Sequence, residues 1–432
     1  MTSPKFPEPP AAVPPTPIAE VDAAVARVAA RKQAWMQTGI AERIALLERC
    51  LQGVNEAAND WVREMCAVKG FGSDENLAGE EWLGGPATTA RNIRMLIEAL
   101  QAGGQPKPAS VTTRASGQMV ARVMPANIKD KLMFAGVTAD VWIEPGKPAS
   151  QGRIYRERAG RDQAGSGKLA LVLGAGNVTS IPPMDVLYKL FVEDEVVVLK
   201  MNPVNAVAGP HIARALDSLC SAGFLAVVYG GAEVGAHLAG HAQVDTLHVT
   251  GSDRTYDAIV WGTDPEEQRR RKAAGTPLNT RPFSAELGCV TPCLVVPGEW
   301  SDADLEFQAR HVASMVAQNA SFNCNAAKVL VTAKGWPQRA AFLQRVDAAL
   351  ARASARKAYY PGAEQRYRAF LEHYPGAKPL GPTAEGVVPW TVIPDVPPHK
   401  GEYALTQEAF CGVLAQVELE ATTAEDFLRV AV

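Results

Sequence analysis

The sequence lacks a strong excess of charge of either sign. Its 432 residues contain 43 Lys and Arg against 46 Asp and Glu, a formal net charge of −3. Proteins that follow a nucleic-acid backbone usually carry clustered positive charge. The composition therefore favours a small-molecule ligand over nucleic acid. With 47% hydrophobic and 21% charged residues, the chain has a globular composition, and its length allows two or three domains.

Long apolar runs are also missing. Runs such as Leu169–Leu173 and Val196–Leu199 are soon interrupted by glycine or charge, whereas a membrane-spanning helix needs about 20 apolar residues. Residues 1–17 are rich in proline and contain no continuous apolar stretch. We predict that they form a flexible lead rather than a secretion signal, and we expect a cytoplasmic protein.

The cysteines show neither a disulfide framework nor a zinc-binding pattern. There are seven of them, an odd number, and none forms a CxxC pair. His237 and His241 are four residues apart, but the acidic residue of an HExxH motif is absent. We expect reduced thiols and no metal.

The first hundred residues have helical periodicity from residue 18 onward, as in Val21, Val25 and Val28. Two segments rich in Gly, Pro and Ser then enclose the short apolar runs Met119–Met124 and Val141–Glu144. These runs are able to pair as strands. They predict a β-hairpin arm at about residues 117–150.

After residue 167 the pattern becomes strand, turn and helix in alternation. Runs rich in β-branched residues between helices indicate strands buried on both faces, and hence a parallel sheet in an α/β fold. The four predicted strands are KLALVLG (Lys168–Gly174), EVVVLK (Glu195–Lys200), FLAVVY (Phe224–Tyr229) and DTLHVT (Asp245–Thr250). Helices are predicted at Met184–Phe191 and His211–Leu219.

A second α/β region is predicted from Ser284 onward. Its strands are Cys293–Val296 and Lys328–Val331, with a helix at Asp304–Ala317. The preceding stretch, Gly262–Pro282, is charged and has no apolar period, so it is predicted to be a solvent loop. No internal repeat is found.

Polar residues stand at the carboxyl ends of the predicted strands, the edge at which α/β proteins bind ligands. Asn177 follows the first strand, Lys200 ends the second, and Thr250, Gly251 and Ser252 end the fourth. Together they predict one shared site, although each alone is also explained as a turn or cap residue.

The segment GAGNVTS (Gly174–Ser180) has the first two glycines of a dinucleotide-binding turn, the second being Gly176. Thr179 replaces the third glycine, and Lys200 stands where the ribose-binding acid is expected. From these residues alone, a nucleotide site and a plain turn remain equally open.

Cys324 and Glu286 are the candidates for chemistry. Cys324 lies in the polar segment NASFNCNAAKVLV, and a reactive thiol needs polar or electropositive surroundings. Glu286, in SAELGC, lies between the two α/β regions and could be a general base at a cleft. The alternatives are a structural cysteine and a solvated loop acid.

Read in order, six motifs resemble the aldehyde dehydrogenase superfamily, from about Ile18 to Val432. They are GAGNVTSIPP, VVVLKMNP, VTGSDRT, AELGCVTP, NASFNCNAA and QEAFCGV. The resemblance implies NAD(P)-dependent oxidation of an aldehyde to a carboxylic acid. It also implies an NAD(P)-binding domain at 18–285, including the N-terminal helices and the arm, and a catalytic domain at 286–432.

The resemblance further implies a role for each motif residue. Cys324 would be the nucleophile, Asn177 and the Cys324 N–H the oxyanion hole, and Glu286 the base that activates water. The implied cofactor contacts are Lys200 with the adenosine ribose, Ser252 with the pyrophosphate, Gly251 on the nicotinamide side, Glu408 with the nicotinamide ribose and Phe410 beside the ring, together with Gly176 and Gly230.

Several positions depart from the family pattern. Phe322 replaces a common Gln, and Cys411-Gly412 replaces Gly-Pro. Pro203 stands where NAD-preferring members often carry Glu, which leaves NAD and NADP both open. The chain stops soon after the Glu408 motif, so we expect a truncated form or a reduced member of the family.

Three readings of the function therefore stand. The first is the aldehyde dehydrogenase itself, with a homo-oligomer, dimer or tetramer, implied by the resemblance. The second is a CoA-linked acylating dehydrogenase or acyl-CoA reductase. The third is a degenerate member that binds a nucleotide without turnover.

Overall fold

The computed structural model describes residues 13–158, 167–381 and 384–432. Most of the predicted lead, residues 1–12, lies outside the described residues. The helices are α1 (Ile18–Ala29), α2 (Lys32–Gln37), α3 (Ile40–Lys69), α4 (Ala78–Trp82), α5 (Thr88–Gln101), α6 (Ile128–Met133), α7 (Arg153–Arg158), α8 (Ile181–Phe191), α9 (Gly209–Ala215), α10 (Asp217–Ser221), α11 (Ala232–Gly240), α12 (Asp253–Trp261), α13 (Pro265–Ala274), α14 (Asp302–Ala317), α15 (Arg339–Arg352), α16 (Ala363–His373), α17 (Tyr403–Thr406) and α18 (Ala424–Ala431).

The strands are β1 (Ser110–Thr113), β2 (Met119–Met124), β3 (Ala139–Trp142), β4 (Lys168–Leu173), β5 (Glu195–Lys200), β6 (Leu225–Val228), β7 (Thr246–Thr250), β8 (Phe283–Glu286), β9 (Thr291–Val295), β10 (Ala327–Ala333), β11 (Lys378–Pro379), β12 (Thr391–Ile393) and β13 (Val413–Leu419). A π-helical turn at Leu83–Ala87 and 3₁₀ turns at Pro203–Ala208 and Gln318–Ser321 complete the described structure.

Five parallel strands form the first sheet, in the order β6-β5-β4-β7-β8. The predicted parallel α/β sheet is therefore confirmed. Leu173 pairs with Lys200, and Thr250 with Glu286, so the ends of these strands lie along one edge. The predicted helix at His211–Leu219 is divided at Leu216 into α9 and α10.

The N-terminal helices pack on the first sheet. Val21, Val25 and Val28 of α1 are buried in the same core as the strands, which confirms the predicted helical stripe. A buried ion pair joins Arg43 of α3 to Asp194 before β5, with a distance of 2.6 Å. The N-terminal helices therefore share one hydrophobic core with the first sheet and do not form a separate unit.

A second hydrophobic core surrounds a mixed sheet in the order β11-β12-β13-β10-β9. Only β11 runs antiparallel to its neighbour. The predicted strands correspond to β9 and β10, and the helix to α14. The bounds 18–285 and 286–432 remain a prediction for the domains; β8, which ends at Glu286, is hydrogen-bonded in the first sheet.

The arm contains three antiparallel strands, β1-β2-β3. The predicted pairing of Met119–Met124 is confirmed with β3, which begins two residues before the predicted run. The strand β1 was not predicted, because Ser110–Thr113 is exposed throughout and has no apolar alternation.

The prediction of a solvent loop across Gly262–Pro282 is wrong for its central part, which is the helix α13. This helix has no buried residue, so no apolar period marks it. Its ends carry the signals instead. Asp264 caps the N-terminus by accepting from the Glu267 N–H at 2.8 Å, Pro265 occupies the first turn, and Gly275 ends the helix at φ 63°.

None of the helices in the described ranges is long and apolar enough to cross a membrane.

Candidate active site

A cavity of about 1590 Å³ opens at the carboxyl edge of the first sheet and reaches the second core. Nine of the ten predicted site residues line it: Gly176, Asn177, Lys200, Gly251, Ser252, Glu286, Cys324, Glu408 and Phe410. Gly230 is not among the lining residues, whereas Gly231 is. Gly230 has φ 142°, and a Cβ there would lie 2.5 Å from Val234 Cγ2, so its glycine serves the turn.

Cys324 follows a left-handed turn between α14 and β10. Asn319, Ala320 and Ser321 have φ values of 53°, 54° and 66°, a conformation that costs free energy for residues other than glycine. The Thr291 hydroxyl donates to the Cys324 carbonyl at 3.0 Å and fixes the residue from β9. The thiol is half-buried at the cavity wall.

The charges closest to the Cys324 thiol include two carboxylates. Burial raises the pKa of the thiol, and the charges of Glu408 and Glu286 raise it further, while the backbone N–H groups of Asn325 and Cys324 lower it. Both carboxylates come from distant parts of the sequence, so the polar segment around Cys324 gave no indication of them. In the protein alone, the thiolate is therefore disfavoured.

Asn177 points its side chain at the cysteine segment. Its Nδ2 donates to the Phe322 carbonyl at 2.8 Å. Its own carbonyl accepts from Asn319 Nδ2 at 3.1 Å and from the Tyr359 hydroxyl at 3.1 Å. These bonds fix the residue after β4 against the turn before Cys324.

A buried ion pair supports this arrangement from α3. Lys69 Nζ lies 2.7 Å from Glu81 Oε1 and donates to Asn319 Oδ1 at 2.9 Å. It also reaches the Asn177 carbonyl at 3.4 Å. Sequence reasoning missed Lys69 and Glu81, because nothing in a helical pattern indicates that a charged residue faces a distant site.

Lys200 is a buried cation at the cavity wall. It is 8% exposed, and burial lowers its pKa to about 8. Among the residues that the structure describes, none forms a side-chain hydrogen bond or ion pair with its ammonium group. A buried, unpaired ammonium group next to a cavity is well placed to bind hydroxyl or phosphate oxygens of a ligand.

Glu408 has an oxygen without a partner. Its Oε1 is buried and accepts no hydrogen bond, while the Cys289 N–H donates to the carboxylate. The other oxygen lies against Gly288, where a Cβ would be 2.1 Å away. A side chain at 288 would therefore displace the Glu408 carboxylate, whereas Glu408 Oε1 remains available for a ligand hydroxyl.

Gly251 and Ser252 form the junction between β7 and α12. The Gly251 N–H donates to the Glu286 carbonyl at 2.9 Å, and Ser252 Oγ accepts from the Thr255 N–H at 3.2 Å as the helix cap. The N-terminus of α12 thus faces the cavity, where a helix dipole favours an anionic group.

Comparisons with known proteins agree on one family. Residues 190–362 match the model of the aldehyde dehydrogenase family. The fold matches that of a salicylaldehyde dehydrogenase from Pseudomonas putida G7, with a TM-score of 0.65 and 14% identity, over 96% of this chain and 75% of that chain. Residues 190–362 are thus similar in sequence to the aldehyde dehydrogenase family, and the chain has the fold of solved aldehyde dehydrogenases.

Further superfamily structures are equally similar. A gamma-glutamyl-gamma-aminobutyraldehyde dehydrogenase from Burkholderia cenocepacia J2315 has a TM-score of 0.66 and 18% identity, with 96% of this chain and 74% of that chain covered. An aldehyde dehydrogenase from Mycobacterium tuberculosis, complexed with NAD⁺, has a TM-score of 0.65 and 18% identity, with 97% and 76% covered. No curated protein matches the sequence.

An aromatic cluster lies beside the cysteine. Phe322, at the position of the common Gln, is buried and lies 5.8 Å from both Tyr360 and Phe410, measured between ring centroids. Arg366 donates to the carbonyls of Ala409 and Phe410 at 3.0 and 3.2 Å and holds that segment. Tyr360 and Arg366 line the cavity but belong to no motif, so the sequence offered no signal for them.

Within the described ranges, no three His, Cys, Asp or Glu residues are arranged to hold a metal ion.

Proposed function

We propose that the protein oxidises an aldehyde to a carboxylic acid with NAD or NADP, through a thioester on Cys324. The supporting observation is the single cavity at which the Cys324 thiol, the Asn177 amide and the Glu286 carboxylate meet an unpaired Lys200 and an unpaired Glu408 oxygen. Similarity to the aldehyde dehydrogenase family supports the reaction class, and the presence of these residues in one cavity supports its location.

The proposed cofactor site uses the orphaned polar atoms. Lys200 would bind the adenosine ribose and Glu408 Oε1 the nicotinamide ribose. Ser252, at the N-terminus of α12, would meet the pyrophosphate, and Gly176 and Gly251 allow close approach. Phe410 would lie beside the nicotinamide, which accepts a hydride when it is bound. Residues 18–285 would then be the cofactor domain and 286–432 the catalytic domain.

The choice between NAD and NADP stays open in this proposal. Pro203 lines the cavity beside Lys200 and carries no charge. Its side chain therefore neither repels a 2′-phosphate nor accepts a hydrogen bond from a ribose 2′-hydroxyl. Among the superfamily structures, one from Bacillus halodurans C-125 is complexed with NADP, and it has 15% identity, a TM-score of 0.63, and 96% of this chain and 76% of that chain covered.

The first proposed step is attack on the aldehyde. The Cys324 thiol loses its proton to solvent, the thiolate sulfur forms a bond to the carbonyl carbon, and the electron pair of the C=O π bond passes to the oxygen, which becomes negatively charged. The Cys324 N–H and Asn177 would stabilise that oxygen. One N–H of the Asn177 amide is held by the Phe322 carbonyl, so its second N–H is the one that would donate to this oxygen. Loss of a hydride then converts the thiohemiacetal on Cys324 to a thioester.

The second proposed step is hydrolysis. Glu286 is exposed at the cavity end of β8, and within the described part of the chain its carboxylate has no hydrogen bond or ion pair. It is therefore free to take a proton from water. The water oxygen adds to the thioester carbon, the C–S bond breaks, and the proton returns to sulfur as the acid leaves.

The test is nicotinamide reduction measured by absorbance with NAD and NADP, separately, against short, long and aromatic aldehydes. We expect activity in the wild type, none in Cys324→Ala, and retention in Cys293→Ala, a thiol on β9 outside the lining. Activity that survives Cys324→Ala would refute the thioester route.

Products are measured in the same assay with and without CoA, in the wild type and in Glu286→Gln. Free acid formed without CoA, and lost in Glu286→Gln, supports the hydrolytic route. Turnover that requires CoA and yields an acyl-CoA would establish the acylating reaction instead. Cofactor binding without turnover of any aldehyde would identify a degenerate member.

A further inference from the structure

Lys328 is a buried lysine close to the proposed nucleophile, and the proposed mechanism does not use it. It is the second residue of β10 and is 3% exposed. Its Nζ donates to the Ser321 carbonyl at 2.8 Å and to Ser321 Oγ at 2.9 Å. In the described ranges, no carboxylate forms an ion pair with it. An ammonium group buried without a counter-ion costs free energy, so its presence calls for an explanation.

The two hydrogen bonds hold the turn that precedes the cysteine. Ser321 is the last of three consecutive left-handed residues, at φ 66°. Such a run persists only when surrounding groups hold it. Lys328 belongs to the strand that follows Cys324, and it holds Ser321 at the end of the turn that precedes Cys324. The segment that carries the cysteine is therefore fixed at both of its ends.

The charge of Lys328 also acts on the site. It interacts favourably with Cys411 and Glu408 and, more weakly, with Cys324, and unfavourably with Arg366. Glu408 and Glu286 oppose ionisation of the Cys324 thiol. The positive charge of Lys328 has the opposite effect, because it favours the negatively charged thiolate. Burial lowers its pKa to about 8, so the positive charge is present below that pH and lost above it.

We propose that Lys328 is a positioning and electrostatic residue for Cys324, which clamps the left-handed turn and provides the positive charge that favours the thiolate. The inference rests on the proposed role of Cys324 as nucleophile.

The test measures the thiol rather than turnover. Cofactor-free full chain is treated with iodoacetamide between pH 6.5 and 10, and labelling of Cys324 is followed by peptide mass spectrometry. Cys289→Ser is the common background, because this exposed thiol lines the same cavity. The variants are Lys328→Gln, which keeps a donor for Ser321 without the charge, and Lys328→Arg, which keeps the charge. Lys334→Gln removes an exposed lysine of the neighbouring surface as the control.

In Lys328→Gln, we expect Cys324 to react about three- to tenfold more slowly at pH 7.5, because loss of a nearby positive charge raises the pH at which the thiolate forms. Lys328→Arg should react at least as fast as the background, and faster above pH 8, since arginine stays charged there. Lys334→Gln should match the background. Equal slowing in the Gln and Arg variants, or none in Lys328→Gln, would overturn the proposal.

Ser321→Ala keeps the folding question separate, because it removes one hydrogen bond and leaves the charge. The pH at which Cys324 labelling is half-maximal should be the same in Ser321→Ala as in the background. A shift of this pH as large as that in Lys328→Gln would mean that the Lys328–Ser321 hydrogen bond, and not the charge of Lys328, sets the reactivity of the thiol. Aldehyde turnover that survives Cys324→Ala, or the absence of turnover in the wild type, would refute the proposed function without changing these labelling rates.

Discussion

Removing Lys69 should destabilise the protein far more than removing Lys69 and Glu81 together. Their charged atoms are 2.7 Å apart and both side chains are 4% exposed. Lys69→Met leaves the Glu81 carboxylate buried without its cation, and breaking such a pair costs about 3–5 kcal/mol. In Lys69→Met/Glu81→Leu no charge is left uncompensated, so most of that loss should be recovered.

The assay is the midpoint of thermal unfolding of four proteins: the wild type, Lys69→Met, Glu81→Leu and the double variant. Lys334→Met, which breaks the exposed pair with Glu420, is the matched control and should leave the midpoint unchanged. A double variant as unstable as Lys69→Met would refute the reasoning, because the loss would then come from packing or from Asn319 rather than from an unpaired charge. Lys69→Met and the double variant should both also lower kcat, since Lys69 donates hydrogen bonds to Asn319 and to the Asn177 carbonyl.

Three further predictions concern the cavity and the arm. Cofactor affinity should fall as pH rises through about 8, because Lys200 loses its proton there. Lys200→Met should weaken cofactor binding about ten- to a hundredfold, as expected for a lost charged hydrogen bond. Equal affinities at pH 7 and 9.5, measured by calorimetry, would contradict this role of Lys200. In cofactor-free protein at pH 7.5, iodoacetamide should label the exposed Cys289 before Cys324, as peptide mapping would show. If the protein is an oligomer through its arm, Trp142→Glu together with Leu132→Glu should reduce the mass measured by light scattering, since both side chains are exposed apolar surface; an unchanged mass would place the interface elsewhere.

The parts of the fold that were predictable are those buried on both faces. β4 and β5 contain continuous apolar runs, and every side chain in the two strands except Lys168 is buried, so the local sequence pattern predicts them directly. The helix α13 is the opposite case, because none of its residues is buried and only its capping residues identify it in the sequence. The strand β13 was missed although it is buried, because it follows the QEAFCGV motif without a turn pattern that marks its start.

The candidate site likewise has a part that the sequence predicts and a part that only the tertiary fold determines. Asn177, Lys200 and Ser252 were found because strand ends meet at one edge, a rule that depends on topology alone. The environment of Cys324 was not predictable, because it is set by Glu286 and Glu408 across the cavity. Local sequence carries no record of a neighbour that only the tertiary fold supplies.

The Asn177–Phe322 hydrogen bond has a consequence for folding. Asn177 follows a strand of the first core, whereas Phe322 belongs to the second. A chain in which only the first core has formed would contain the β4 turn but lack the carbonyl that orients the amide. Recovery of activity after dilution from denaturant should therefore follow the slower of the two cores, and secondary structure should return before it.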